Sequence, residues 1–133
     1  MGEHHFRYAL FPHASGPQAG GVIPEAAAFN QPLRLWSTLN APQAESFFAI
    51  DNPAIVLDTV KKAEDSEDLI LRFYESHGAR QVAKLTTSLN LARVVKTDLL
   101  ESNGVSFASS RHFIKLVLRP FEILNLRLST TRL

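Results

Sequence analysis

The residues of this chain best able to do chemistry are five histidines and thirteen carboxylates. His4 and His5 are adjacent, so in an extended segment they point to opposite faces and cannot chelate one ion together. His13 sits in a Pro-rich loop, His77 in a turn before Gly78 and His112 at a strand start. No H-x-x-x-H or H-E-x-x-H spacing occurs, so no sequence-local zinc site is expected. Cysteine is absent, which rules out disulfides, thiolate nucleophiles and Cys-ligated metal centres. Glu64, Asp65, Glu67 and Asp68 form an acidic run, read as a solvated loop that keeps neighbouring strand edges apart. That run lacks the alternating ligands and central glycine of a calcium loop. Asp58, Glu75 and Asp98 fall within or at the ends of expected strands, where structural roles are expected. A glycosidase instead needs two carboxyls held about 5–9.5 Å apart across a sugar. No G-x-S-x-G elbow occurs, Gly20-Gly21 lacks the Lys and Ser/Thr of a phosphate loop, and G-x-G-x-x-G is absent. Trp36, Tyr8 and Tyr74 could stack on a sugar face, although such aromatics serve cores and interfaces more often. Trp36 and Tyr74 are the ligand-binding candidates. No catalytic or metal residue is expected.

The elements that position these groups read as short strands. His5–Phe11 alternates, with Phe6, Tyr8 and Leu10 on one face, and reads as a strand closed by Pro12. Residues 12–21 form a loop by composition, and Pro24–Phe29 a short helix stopped at Asn30 before Pro32. Residues 37–46 have the small, polar composition of a linker. Beyond it, strands are expected at Phe47–Ile50, Ile55–Lys62, Leu69–Glu75, Gln81–Thr87, Ala92–Leu100, Phe113–Leu118 and Glu122–Leu128. Asn103-Gly104 is the strongest turn signal, because both residues tolerate positive φ. In the last strand, Leu124, Leu126 and Leu128 face one side, while Asn125 and Arg127 face the other, giving a half-buried strand with a wet face. Turns every 8–12 residues or so point to an all-β fold, an antiparallel β-sandwich of immunoglobulin-like or jelly-roll type. An N-terminal strand, loop and short helix precede it. The domains are 1–46 and 47–133. The first cannot close on its own, because it offers too little to bury Phe6, Tyr8, Phe11 and Trp36 together.

Composition sets the class. With 45% hydrophobic and 20% charged residues in 133, the chain is globular and large enough for a self-supporting core. Residues 1–66 carry 4 Lys/Arg against 7 Asp/Glu, and residues 67–133 carry 10 against 6. The cations of the second half are spread singly, which suits strand faces and argues against a nucleic-acid groove. No apolar run approaches the ~20 residues that span a bilayer, and no secretory leader pattern opens the chain. No membrane association and a cytoplasmic location are therefore the expectation.

Six runs, in order, carry a resemblance that covers nearly the whole chain. His5-Phe6-Arg7-Tyr8-Ala9-Leu10-Phe11-Pro12-His13 resembles the H-x-F-x-Y-A-L-x-P-H run near the C-terminus of glycoside hydrolase family 38 α-mannosidases. Gly21–Ile23 through Ala28–Leu33 is similar to that family's helix and Asn-x-Pro-Leu signature. Val56–Asp65, Leu69–Gly78, Thr97–Glu101 and Leu118–Ile123 resemble four further blocks, closest to the cytosolic-type, class II enzymes. The resemblance implies that residues 1–46 are the end of a large β-domain and 47–133 the terminal β-sandwich. The family's enzymes hydrolyse terminal α-linked mannose of oligosaccharides with retention. They use a catalytic Asp, an acid/base carboxylate and zinc or cobalt, all in a region upstream of anything matched here. The resemblance thus implies a non-catalytic portion, partnered by the catalytic and central domains of the same enzyme, with no cofactor of its own. It also implies that His5–Phe11 joins a sheet begun upstream, so the chain in isolation should self-associate. The alternative is an autonomous β-sandwich module that binds carbohydrate or a protein partner.

Overall fold

The structure, a computed structural model, describes residues 2–35, 37 and 45–131. The chain divides into two compact units, Met1–Asn40 and Ala41–Leu133. The linker expected over 37–46 lies mostly outside the described residues.

The first unit holds one helix, α1 (Val22–Asn30), which starts two residues before the expected Pro24. Its last turn is satisfied locally: Gln31 N–H donates to Ala27 O at 2.8 Å, and Asn30 Nδ2 to Ala26 O at 2.9 Å. Arg7 Nη2 donates to Phe29 O at 2.8 Å, and its guanidinium lies 4.7 Å from the centroid of the Phe29 ring. No residue of α1 is buried. The strand expected at His5–Phe11 does not form. Alternation specifies which face of a strand is apolar but supplies no partner ladder, and the segment has none among the described residues. Phe6, Tyr8 and Leu10 are left 83%, 83% and 92% exposed.

The second unit is a two-sheet antiparallel sandwich. Its strands are β1 (Phe48–Ile50), β2 (Ile55–Lys62), β3 (Leu69–Glu75), β4 (Gln81–Thr87), β5 (Leu91–Thr97), β6 (Val105–Ser106), β7 (Phe113–Leu118) and β8 (Ile123–Thr130). One sheet has the order β1-β4-β7 and the other β2-β3-β8-β5-β6. Period-two alternation explains the layers. Ala83 and Leu85 of β4 and Ile114, Leu116 and Leu118 of β7 turn inward. They meet Leu71 and Phe73 of β3 and Leu124, Leu126 and Leu128 of β8. Phe73 is fully buried, a burial worth about 1.5–3 kcal/mol.

Two local expectations are corrected. The strand expected to run to Leu100 ends at Thr97, because the Asp98 carboxylate accepts the N–H of Leu100 (3.0 Å) and of Ser102 (2.9 Å) and Nδ2 of Asn103 (2.7 Å). These bonds wind residues 98–103 into a self-contained loop. In that loop Glu101 and Asn103 take positive φ, 65° and 56°, while Gly104 does not. Glycine is needed at 104 for a close approach instead, since a Cβ there would lie 2.7 Å from Cγ1 of Val95. The two-residue strand β6 that follows was not expected at all, being too short to show alternation.

Candidate functional site

The outward face of the five-stranded sheet is where polar side chains converge. Strand register lines up Arg72 with Asn125 and Thr97 in one row, and Ile70 with Arg127 and Val95 in the next. This face is not the wet one expected from sequence. Asn125 is 2% exposed, and its Nδ2 donates to Thr97 Oγ1 (2.9 Å) and to Asp98 O (3.0 Å), while its Oδ1 accepts from Arg72 Nε (3.3 Å). A buried amide needs such partners, and here the loop after β5 and the neighbouring strands supply them.

Arg127 is clamped in the next row. Its Nε reaches Asp68 Oδ2 and its Nη2 reaches Asp65 Oδ1, both at 2.7 Å, and Nη2 also donates to Ser66 Oγ at 2.8 Å. Lys61 pairs with Glu64 and, at 2.8 Å, with Glu101 from the loop after β5; Lys62 pairs with Glu67. The acidic run 64–68 is therefore not merely solvated. Each of its four carboxylates holds a cation, and the run is fastened to β2 and β8. Between these groups lies a cavity of about 300 Å³ lined by Arg93, Val95, Thr97, Glu101, Arg127 and Ser129, among others.

The chemistry open to this arrangement follows from its carboxylates. The Arg127 guanidinium holds Asp68 below its ordinary value of 3.8, and hydrogen bonding to Lys61 holds Glu101 below 4.5. Both are ionised at neutral pH, so neither can protonate a leaving group as a glycosidase acid must. Asp98 and Glu122 are also lowered, by backbone N–H groups first of all.

Glu75 closes one end of the sandwich. It shares the inward parity of Leu71 and Phe73 and is 1% exposed. Burial pushes its pKa up, but four backbone N–H groups, those of Phe121, His77, Gly78 and Ala79, bring the net value below 4.5. The contacts are 2.7 Å from His77 N, 2.8 Å from Gly78 N and 2.9 Å from Phe121 N. This carboxylate ties the turn after β3 to the turn before β8, a structural task.

Tyr74, on the opposite face from Glu75, is half-buried between Val56 and Ile123, its cross-strand neighbours, and does not line the cavity. Trp36 lies outside the described residues. The histidines are not brought together: His5 pairs with Glu3 at 3.4 Å, His13 stacks on Phe11, and no group of three His, Asp or Glu that could hold a metal occurs among the described residues. Sequence reading missed Asn125 and the buried role of Glu75. The signal for Glu75 is a carboxylate on the inward face of a strand whose other inward residues are apolar.

Residues 54–126, which run from β2 into β8 and include the Glu75 tie and Asn125, match the profile of the glycosyl hydrolases family 38 C-terminal beta sandwich domain. The chain belongs to this family. Over 96% of its length it is 38% identical to Alpha-mannosidase 2C1 of Homo sapiens, 31% to Alpha-mannosidase G of Dictyostelium discoideum and 30% to Alpha-mannosidase of Saccharomyces cerevisiae. It spans only 13%, 12% and 14% of the length of those relatives. Within family 38, then, the described sandwich is the C-terminal β-domain. No helix among its described residues is long and apolar enough to cross a membrane.

Proposed function

We propose that this chain is the non-catalytic C-terminal portion of an α-mannosidase. The complete enzyme hydrolyses terminal α-linked mannose from oligosaccharides with retention, in the cytoplasm. Its catalytic and central domains are the partners of this sandwich, and its zinc or cobalt ion is held by residues outside this chain. The observation that carries the reading is the match of residues 54–126 to the family's C-terminal domain, in a chain spanning about an eighth of its relatives' length. The chemistry agrees: the carboxylates with shifted pKa are lowered and ionised, and each holds cations or backbone N–H groups.

Within that enzyme the first unit supplies one part of a sheet and the second a rigid terminal layer. Phe6, Tyr8 and Leu10 alternate in sequence and are exposed, with no strand beside them among the described residues, which is what a segment completing another domain's sheet presents. The alternative of an autonomous sugar-binding module draws no support from the described residues, since Tyr74 stands outside the polar cavity.

An antibody raised against residues 47–133 tests the proposal in the source cells. The captured material should cleave an aryl α-mannoside and fractionate with cytoplasmic markers. Captured protein without α-mannosidase activity would overturn the reading.

A further inference from the structure

The chain has five lysines, all in the sandwich. Lys61, Lys62 and Lys96 each hold a carboxylate. The remaining two, Lys84 of β4 and Lys115 of β7, hold none among the described residues, and they stand directly opposite each other in the β4–β7 register. Like charges directly opposite across two strands repel and destabilise a sheet. The pair lies on the outward face of the three-stranded sheet, where Val82 and Val117 face each other one row away at 51% and 41% exposure. On the other side of the lysine row stands Phe113, 41% exposed, with the Lys84 ammonium 4.9 Å from its ring centroid. Asp51 borders this surface, lining one cavity with Lys84, Phe113 and Lys115. Its carboxylate accepts the backbone N–H of Lys84 at 2.7 Å, and it forms no ion pair among the described residues. The face thus reads apolar, cationic, aromatic in successive rows, and among the described residues neither ammonium has a carboxylate within ion-pair distance.

We propose that this face of the β1-β4-β7 sheet is a docking surface for an acidic, extended protein segment. Charge complementarity selects the occupant. Carboxylates over Lys84 and Lys115 relieve the cross-strand repulsion, while apolar side chains two residues to either side cover Val82, Val117 and Phe113. Strand geometry sets that spacing at about 6.8 Å, so the segment reads apolar-x-acidic-x-apolar. Two cations and one partly exposed aromatic are too few for a nucleic-acid track, which needs a run of cations and several stacking rings. The inference goes beyond the α-mannosidase reading and is independent of it.

The test uses the full 133-residue chain, isotope-labelled, titrated with the ten-residue peptide Val-Ser-Glu-Ser-Val-Ser-Glu-Ser-Val-Ser, one extended face of which reads valine, glutamate, valine. Amide shifts should be confined to residues 82–86 and 113–117, and the Lys84→Glu/Lys115→Glu variant should weaken binding at least tenfold. The same peptide with lysine in place of each glutamate should not bind. In parallel, the single variant Lys115→Glu should melt about 1–3 °C higher than the parent, since it turns a repulsive pair into an attractive one. Lys115→Gln, which only removes the repulsion, should melt no lower. The proposal is overturned by absent shifts, by shifts elsewhere, by binding insensitive to charge reversal, or by a lower melting temperature of both variants. A ten-nucleotide single strand that binds the same lysines as tightly as the glutamate peptide would also overturn it, in favour of nucleic acid.

Discussion

The carboxylate of Glu75, at the end of β3, accepts the backbone N–H of Phe121 at 2.9 Å across 46 residues of sequence. One buried acid thereby holds two turns at the same end of the sandwich, the one leaving β3 and the one entering β8. Phe121 keeps a positive φ of 56°, unusual for a bulky side chain. Glu75→Ala would leave the N–H groups of His77, Gly78 and Phe121 without their acceptor and should destabilise the chain by about 3 kcal/mol. Glu75→Gln keeps the shape and one carbonyl acceptor and should cost less. Urea melts of the three proteins measure the difference, and an alanine variant within 0.5 kcal/mol or so of the parent would contradict this role.

Acid should unfold this sandwich more readily than its modest net charge suggests. Asp68, Glu75, Asp98, Glu101 and Glu122 all have folded-state pKa values below their ordinary 3.8 or 4.5. A lowered carboxylate contributes stability that is present above its unfolded-state value and is lost as pH falls through the folded one. Stability should therefore hold level from pH 7 down to about 5 and decline steadily below about 4.5. Thermal melts across that range check it, and Glu75→Gln should flatten part of the decline.

Gly78 is held at φ 72°, and a Cβ there would lie 2.7 Å from Cζ of Phe121. Gly78→Ala meets both a conformational penalty and a clash, together costing about 1–3 kcal/mol. The clash resides in the Phe121 ring and the φ penalty does not. Adding Phe121→Ala should return only part of the loss, and a double-mutant cycle separates the two contributions.

Arg127 holds Asp65 and Asp68 against β8, and its side chain is 20% exposed. Arg127→Met keeps much of the stem but leaves Asp68 without its cation, and should cost roughly 1–3 kcal/mol. The loop 64–68 should then exchange its amide hydrogens faster, while β4 and β7 remain protected. Unchanged exchange in that loop would show that the clamp does not order it.

Residues 6–10 carry exposed aromatics without a ladder partner in the described structure. Their amides should exchange as fast as those of an unfolded peptide when the chain is dilute. At higher concentration the chain should self-associate, and Phe6→Ser/Tyr8→Ser should suppress this in light scattering. A monomer with protected amides at 6–10 would mean the segment packs within the chain.

Much of the sandwich was legible because its strands alternate cleanly. Gln81–Thr87 and Phe113–Leu118 bury every second residue, and both were bounded correctly from sequence. Pairings between distant loops were not legible. Nothing local to Asn125 shows that the loop around Asp98 will cover it, and nothing local to Glu75 shows that Phe121 will reach it. His5–Phe11 failed for the complementary reason: alternation defines a face, but a strand also needs a neighbour. Of the two aromatic candidates, Tyr74 was placed on the correct strand, yet the polar groups gather two rows away at Arg127. The register between strands that puts them there is not written in either strand alone.

The central claim is that this chain serves as the C-terminal domain of an α-mannosidase. The most direct measurement is the aryl α-mannosidase activity of human Alpha-mannosidase 2C1 whose matching C-terminal region has been replaced by this chain. The expected result is a folded chimera that retains turnover, where the same enzyme truncated at that point has lost it. A soluble, folded chimera as inactive as the truncated enzyme, or a truncated enzyme as active as the parent, would contradict it.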